Sequence, residues 1–192
     1  MNLMPRVNKI LQHPAYNEYS RKNQKAEEKR IYCRHGEDHG LAVARVAYIY
    51  LLENALAQKD LHNGNFSEGI SWHRNQEESY EETFGIWLDK ELVYGAGILH
   101  DIGRWVEYET GEDHALAGVR LAEPILQDCD FTETEQRIIL EGIKEHRLDP
   151  SQTSSLLGKA LALADDWARD CRNCASKDTC YKYNKSMEDI IT

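Results

Sequence analysis

The sequence predicts an all-α protein. Three observations carry this. Apolar residues recur at three- and four-residue spacing along most of the chain, and no alternation of apolar and polar residues is sustained anywhere. Only four prolines and twelve glycines punctuate 192 residues. In chain order, residues 16–32 are highly charged and read as a solvated helix. A long helix is expected over 36–57, with Val43, Val46, Ala47, Tyr50 and Leu51 on one face. Residues 60–84 are rich in Asn, Glu and Ser and read as an excursion between helices. A helix over 87–102 carries Trp87, Leu88, Leu92, Val93, Ala96 and Leu99 into the pair His100-Asp101, and Gly103 then breaks it. The next helix, 112–128, has His114, Gly118, Leu121 and Ile125 on its inner face. Thr132 followed by Glu135 is a capping box that opens a helix over 133–147, where Ile139, Ile143 and His146 share a face, and Pro150 ends that segment. A helix over 153–169 aligns Leu157, Leu161 and Asp165. The stretch 171–192 carries Cys, Lys and Tyr and starts irregularly. With no repeat and no linker, residues 1–192 read as one domain with a Cys-containing tail at 171–192.

Bulk properties exclude several classes. The length suits one domain with a sizeable core. A net charge of −10 argues against nucleic acid as a main partner, because phosphate backbones select basic surfaces. No run of eighteen apolar residues offers a membrane span. The first ten residues lack the apolar stretch of a signal peptide, so a cytoplasmic, reducing setting is expected. Five cysteines there are expected as thiols or metal ligands rather than disulfides.

His100 and Asp101 follow a run of small and apolar residues, Gly95-Ala-Gly-Ile-Leu99. Burying an imidazole and a carboxylate without partners is costly, and the two suit a divalent cation. Four more candidates surround them in order: His39, His114, His146 and Asp165, each on the apolar stripe of its own helix. Bundle metal sites are built in this way. Six donors exceed what one cation needs once water and substrate positions are left open. Two metals bridged by Asp101 follow naturally. His35 competes with His39, which is favoured because it is in phase with Val43 and Val46. Asp166 competes with Asp165, which is favoured by Leu161 and Leu157 one and two turns before it.

Together these residues resemble the HD superfamily of metal-dependent phosphohydrolases. The matching stretches are His39-Gly-Leu-Ala-Val-Ala-Arg-Val-Ala, His100-Asp-Ile-Gly-Arg104 and Leu161-Ala-Leu-Ala-Asp165, which form the ordered H…HD…D signature. His114 and His146 resemble the additional ligands of the subgroup that binds a second metal. The resemblance spans about 33–170. It implies the all-α HD-domain helical bundle, with His39, His100, Asp101 and Asp165 on one metal. His114 and His146 would hold the second, with Asp101 shared. The metals would be manganese, iron, cobalt, nickel or zinc. A bridging water would then be activated for in-line attack on phosphorus. Arg104, one turn after the pair, is the candidate phosphate grip and catalytic partner of Asp101, and Lys144 is a further candidate for binding substrate.

Cys171, Cys174 and Cys180 form a C-x2-C-x5-C arrangement. Its first half is a recurrent zinc or iron–sulfur spacing, and Cys33 is the proposed fourth ligand. Cys33 precedes His39 by six residues and Cys171 follows Asp165 by six. If His39 and Asp165 share a metal, both cysteines lie on segments continuing from it, roughly 9 Å along if those are helical. This cluster is no part of the general HD signature.

The expected activity is hydrolysis of a small phosphorylated compound, a nucleotide, by metal-activated water. Two other readings share the ligand set: a di-iron oxygenase, and a non-catalytic sensor of nucleotide or metal. Trp105, Tyr108 and Tyr50 are candidates for stacking on a base or for packing.

Overall fold

The computed structural model describes residues 4–62 and 89–183. Its helices are α1 (Pro5–Gln12), α2 (Pro14–Ala26), α3 (Glu37–His62), α4 (Lys90–Leu99), α5 (Arg104–Thr110), α6 (His114–Asp128), α7 (Glu133–Glu145) and α8 (Leu156–Trp167). A short 3-10 turn, Lys177–Thr179, lies in the C-terminal stretch, and there is no strand among the described residues. The all-α expectation therefore holds. The predicted excursion at 60–84 falls almost wholly outside the described residues, as do Trp87 and Leu88.

Helix α4 is the centre. All eight residues from Leu92 to Leu99 are buried, as expected of a helix that is apolar or small on every side. It packs against α3, α7, α1 and α8, and α7 in turn packs against α6 and α8. Leu92, Leu99, Ile125, Leu126, Ile139, Ile143, Leu157 and Leu161 fill the core. Two close backbone approaches set the geometry. A Cβ on Gly97 would stand 2.6 Å from the Cα of Ala44, so α3 and α4 touch through backbone. A Cβ on Gly103 would stand 2.5 Å from both Gly118 N and His114 O, which pins the turn after α4 to α6.

Caps explain the boundaries. Asp89 caps α4 by accepting from Leu92 N, and Asp113 caps α6 by accepting from Ala115 N and Leu116 N. The Thr132–Glu135 capping box is formed at the start of α7. The buried Glu145 carboxylate accepts from the backbone and hydroxyl groups of Ser154 and Ser155, and Ser155 caps α8. Gly111, at φ +78°, ends α5 in the left-handed region.

Three expectations need correction. Residues 16–32 are not one solvated helix: α2 ends at Ala26, and Tyr16, Asn23 and Glu27 are buried. They share a face at helical spacing, and two of the three are polar, so no apolar stripe marks them. Helix α1 was not anticipated; it docks through Val7 and Ile10, while Arg6 pairs with Glu91, Glu135 and Asp89. Helix α4 stops at Leu99, so His100 and Asp101 sit in a turn closed by Ile102 N donating to Leu99 O and Arg104 N donating to Asp101 O.

Candidate metal centre

The six predicted donors come from five places. His39 lies in the first turn of α3, His100 and Asp101 in the turn after α4, and His114 at the start of α6. His146 follows the end of α7, and Asp165 sits in the last turn of α8. Their donor atoms form two groups, each within 4.8 Å: His39, His100, Asp101 and Asp165; and Asp101, His114 and His146. Asp101 belongs to both. His100 Nε2 is 3.2 Å from Asp101 Oδ2, and His39 Nε2 is 2.9 Å from Asp165 Oδ1. Asp101 Oδ1 is 3.0 Å from His114 Nε2 and 3.7 Å from His146 Nε2.

The far side of three imidazoles is already committed. His100 Nδ1 is 2.7 Å from Gly97 O, and His146 Nδ1 is 2.6 Å from Ile143 O. A carbonyl only accepts, so each Nδ1 carries its proton and Nε2 is the atom each ring turns inward. His114 Nδ1 meets the Glu107 carboxylate at 2.5 Å with the same result. Such outer bonds fix ring orientation at metal sites. The Nε2 atoms of His114 and His146 then face one another at 3.2 Å. The Nε2 atoms of those rings and of His100 converge on an ionised carboxylate. His100 Nε2 and Asp101 Oδ2 are buried and have no hydrogen-bond partner. Buried polar atoms rarely go unpaired, and this donor set fits divalent cations.

The electrostatics agree. Burial alone would raise the Asp101 carboxyl, but His100, His114 and His146 hold it well below the usual range. Asp165 is likewise lowered against its burial by His100, His39 and Arg169. Burial would lower the His100 imidazole, yet Asp101 and Asp165 push it up to about 10. The field that favours a proton there equally favours a cation. At His39 burial wins and the pKa falls to about 4.

Two guanidiniums lie over the donors. Arg104 Nη1 is 3.0 Å from His114 Nδ1, Arg104 Nη2 is 2.8 Å from His35 Nε2, and Arg104 Nε is 3.9 Å from Asp101 Oδ1. Arg169 Nη2 is 2.8 Å from Asp165 Oδ1 and 2.9 Å from His39 Nε2. Sequence reasoning missed Arg169, although it lies one turn after Asp165 on the same face. It also set aside His35, which is buried beside the site: Nδ1 meets the Glu27 carboxylate at 2.5 Å, and Nε2 lies 3.9 Å from Asp101 Oδ2. Asn23 was missed too. Its amide donates to Asp101 O at 3.0 Å and accepts from Trp105 N at 2.7 Å, holding the turn from both ends.

The remaining candidates lie elsewhere. Lys144 is exposed and faces an open groove with Leu116, Leu140 and Arg147. Asp166 pairs with Lys182 at 2.8 Å and belongs to neither donor group. Trp105 stacks on Tyr19 under Lys22, and Tyr50 packs on Trp167. The Tyr108 hydroxyl donates to Glu27 and accepts from Arg30. Cys33, Cys174 and Cys180 lie within electrostatic reach of Cys171, and Cys33 and Cys171 within reach of Arg169; no cysteine belongs to either donor group. No helix among the described residues is long and apolar enough to cross a membrane.

An all-α bundle with a buried His/Asp cluster suited to metal defines the class of this protein. The family model for the HD domain matches residues 36–170, and the chain belongs to the HD domain family. That family is generally hydrolytic and binds divalent metals. The chain is similar to an uncharacterized protein of Clostridium beijerinckii, at 31% identity over 177 residues and 92% of each chain. It is also similar to Ribonuclease Y of Staphylococcus epidermidis, at 31% identity over 104 residues. Ribonuclease Y of Oleidesulfovibrio alaskensis matches at 30% over 103 residues. Each of these two matches covers 54% of this chain and 18% of the enzyme. No solved structure matches.

Proposed function

We propose that this protein is a metal-dependent phosphohydrolase acting on a small phosphorylated compound, a nucleotide. The observation that carries the reading is the pair of donor groups sharing Asp101, with Arg104 reaching from one side of them to the other. Two cations held there would supply an activated water and neutralise phosphate charge. Arg104 is placed to hold a phosphoryl oxygen through its fork of donors, with Arg169 as a further guanidinium on the other group. Glu27 fixes the His35 ring so that Nε2 faces Asp101 and Arg104, where it can take or return a proton at the leaving oxygen. The acidic net charge favours a small substrate over a polynucleotide.

The test is phosphate release from a panel of nucleotides and dinucleotides, with manganese or iron(II) supplied anaerobically, for wild type and Asp101→Ala. Short RNA is included because of the likeness to Ribonuclease Y. Turnover of one nucleotide class by wild type alone is the expected result. Cleavage of RNA without nucleotide turnover overturns the small-molecule assignment. Silence throughout, with two metals bound, overturns the hydrolase in favour of an oxygenase or a sensor.

A further inference from the structure

Outside the His/Asp centre, the fold draws together four further candidate metal ligands, Cys33, Cys171, Cys174 and Cys180. None of the four is in a disulfide; Cys171 is buried and the others are partly buried. They come from two distant stretches that the fold clamps together. Ser176 Oγ donates to Ile31 O at 2.6 Å, and Tyr32 Oη donates to Thr179 O at 3.2 Å, so two residues between Cys174 and Cys180 are tied to the residues just before Cys33. Arg30 Nε donates to Cys33 O at 2.7 Å and fixes that end. Within the C-terminal stretch, Cys174 N donates to Cys171 O, Lys177 N to Cys174 O and Cys180 N to Lys177 O, at 3.1–3.3 Å. Burial first, and then the sulfurs of Cys33, Cys174 and Cys180 around it, push the Cys171 thiol up. All three neighbours are therefore within electrostatic reach of one sulfur.

We propose that these four cysteines form a second, independent metal centre, and that its occupant is an iron–sulfur cluster. Two arguments support a metal. The stretch from Cys171 to Tyr183 has no regular element beyond one 3-10 turn, and Cys171 is its one buried side chain. A segment with so little apolar burial needs a cross-link to hold one structure, and none of its cysteines is in a disulfide. Four cysteines in a C-x2-C-x5-C arrangement plus one are also the donor number that both a zinc site and a cubane cluster require. Spacing chooses between the two. Zinc at about 2.3 Å from each sulfur would bring tetrahedral thiolates to roughly 3.8 Å from one another. No three of these sulfurs close to within 4.8 Å, whereas the two His/Asp groups do. A polynuclear cluster, with thiolates on its outer corners, accepts the wider set.

The experiment uses the full chain purified anaerobically. Iron, acid-labile sulfide and zinc are measured on wild type, Cys174→Ser, Cys180→Ser and the control Cys129→Ser, whose sulfur packs in the apolar core. Asp101→Ala separates iron on the His/Asp donors from iron on sulfur. Wild type, Asp101→Ala and Cys129→Ser are expected to carry iron and sulfide at about four each per chain, with a visible absorption band that Cys174→Ser and Cys180→Ser lose. Native mass spectrometry of wild type reads the mass of the bound group directly and decides the matter even if a variant fails to fold. Zinc without sulfide would overturn the iron–sulfur assignment. Wild type with four alkylatable thiols and no sulfur-bound metal would overturn the centre altogether.

Discussion

Gly103→Ala should separate the two halves of the metal centre without removing a ligand. A Cβ at this position meets Gly118 N and His114 O at 2.5 Å and Ala117 C at 3.0 Å, all backbone atoms that no rotamer change can move. Restoring ordinary contact at about 3.4 Å requires the turn and α6 to part by roughly 0.9 Å. The turn carries Asp101 and α6 carries His114, whose Nε2 is 3.0 Å from Asp101 Oδ1. The movement therefore falls on the junction of the two donor groups, while His39 on α3 and Asp165 on α8 keep their places. Overpacking of this kind costs about 1–3 kcal/mol, which for a chain of this size is roughly a 2–12 °C fall in Tm. A misplacement near 1 Å is expected to cost on the order of 100-fold in turnover. Calorimetric unfolding, metals per chain by mass spectrometry and phosphate release read the three effects. Gly36→Ala is the control, since a Cβ there meets nothing within 4 Å. Gly103→Ala with the Tm of wild type and both metals retained would refute the idea that this contact sets the junction.

Asp101→Asn should leave the helical content unchanged and reduce bound metal from two ions to at most about one, because a neutral amide cannot bridge; metal analysis checks it. Loading the His/Asp centre at pH 8 should release about one proton per chain, since His100 is pushed up to about 10 by Asp101 and Asp165 and its Nε2 must be free to bind. Titration calorimetry in buffers of different ionisation heat reads that proton, and uptake of none would count against the His100 assignment. Glu145→Gln should cost about 1.5–3 kcal/mol, the worth of hydrogen bonds to a charged group. Because Ser154 and Ser155 overcome burial and lower this carboxyl from 4.5, its contribution is present above that pH and fades as pH falls through the lower folded value. The wild-type advantage in melting temperature should shrink accordingly on acidification. Arg6→Met leaves Glu91, Glu135 and Asp89 facing one another and should destabilise by about 2 kcal/mol. Metal content should be unaffected, since α1 is remote from both donor groups.

The six donors were legible because each interrupts an apolar stripe. His114 beside Gly118 and Leu121, or Asp165 beneath Leu161, is a polar side chain where burial is certain, and that demands a partner. Residues lying on polar surroundings gave no such contrast. Glu27, His35 and Asn23 sit on a charged stretch that reads as exterior, yet α2 turns Asn23 inward, its C-cap Glu27 is buried, and His35 is held against Glu27 in the segment that follows. Nothing local distinguishes Asn23 from a surface asparagine; its role depends on Asp101 O and Trp105 N, 78 and 82 residues away. Arg169 was within reach of the pattern argument, one turn after Asp165 on the same face. The placement of His100 and Asp101 in a turn was also hidden, because apolar periodicity runs smoothly through Leu99 and Ile102 while the backbone departs from the helix between them.

Asn23, Glu27, Cys33 and His35 all precede the stretch matched by the HD domain, which begins at residue 36. The helices from α3 onward bring the metal donors, but the amide that braces the turn and the carboxylate that aims His35 arrive on a separate N-terminal arm. That arm is an exchangeable part: it could diverge between relatives while the six His/Asp donors stay constant. A fragment cut at the family boundary would keep those donors and lose the groups that brace the turn and orient His35.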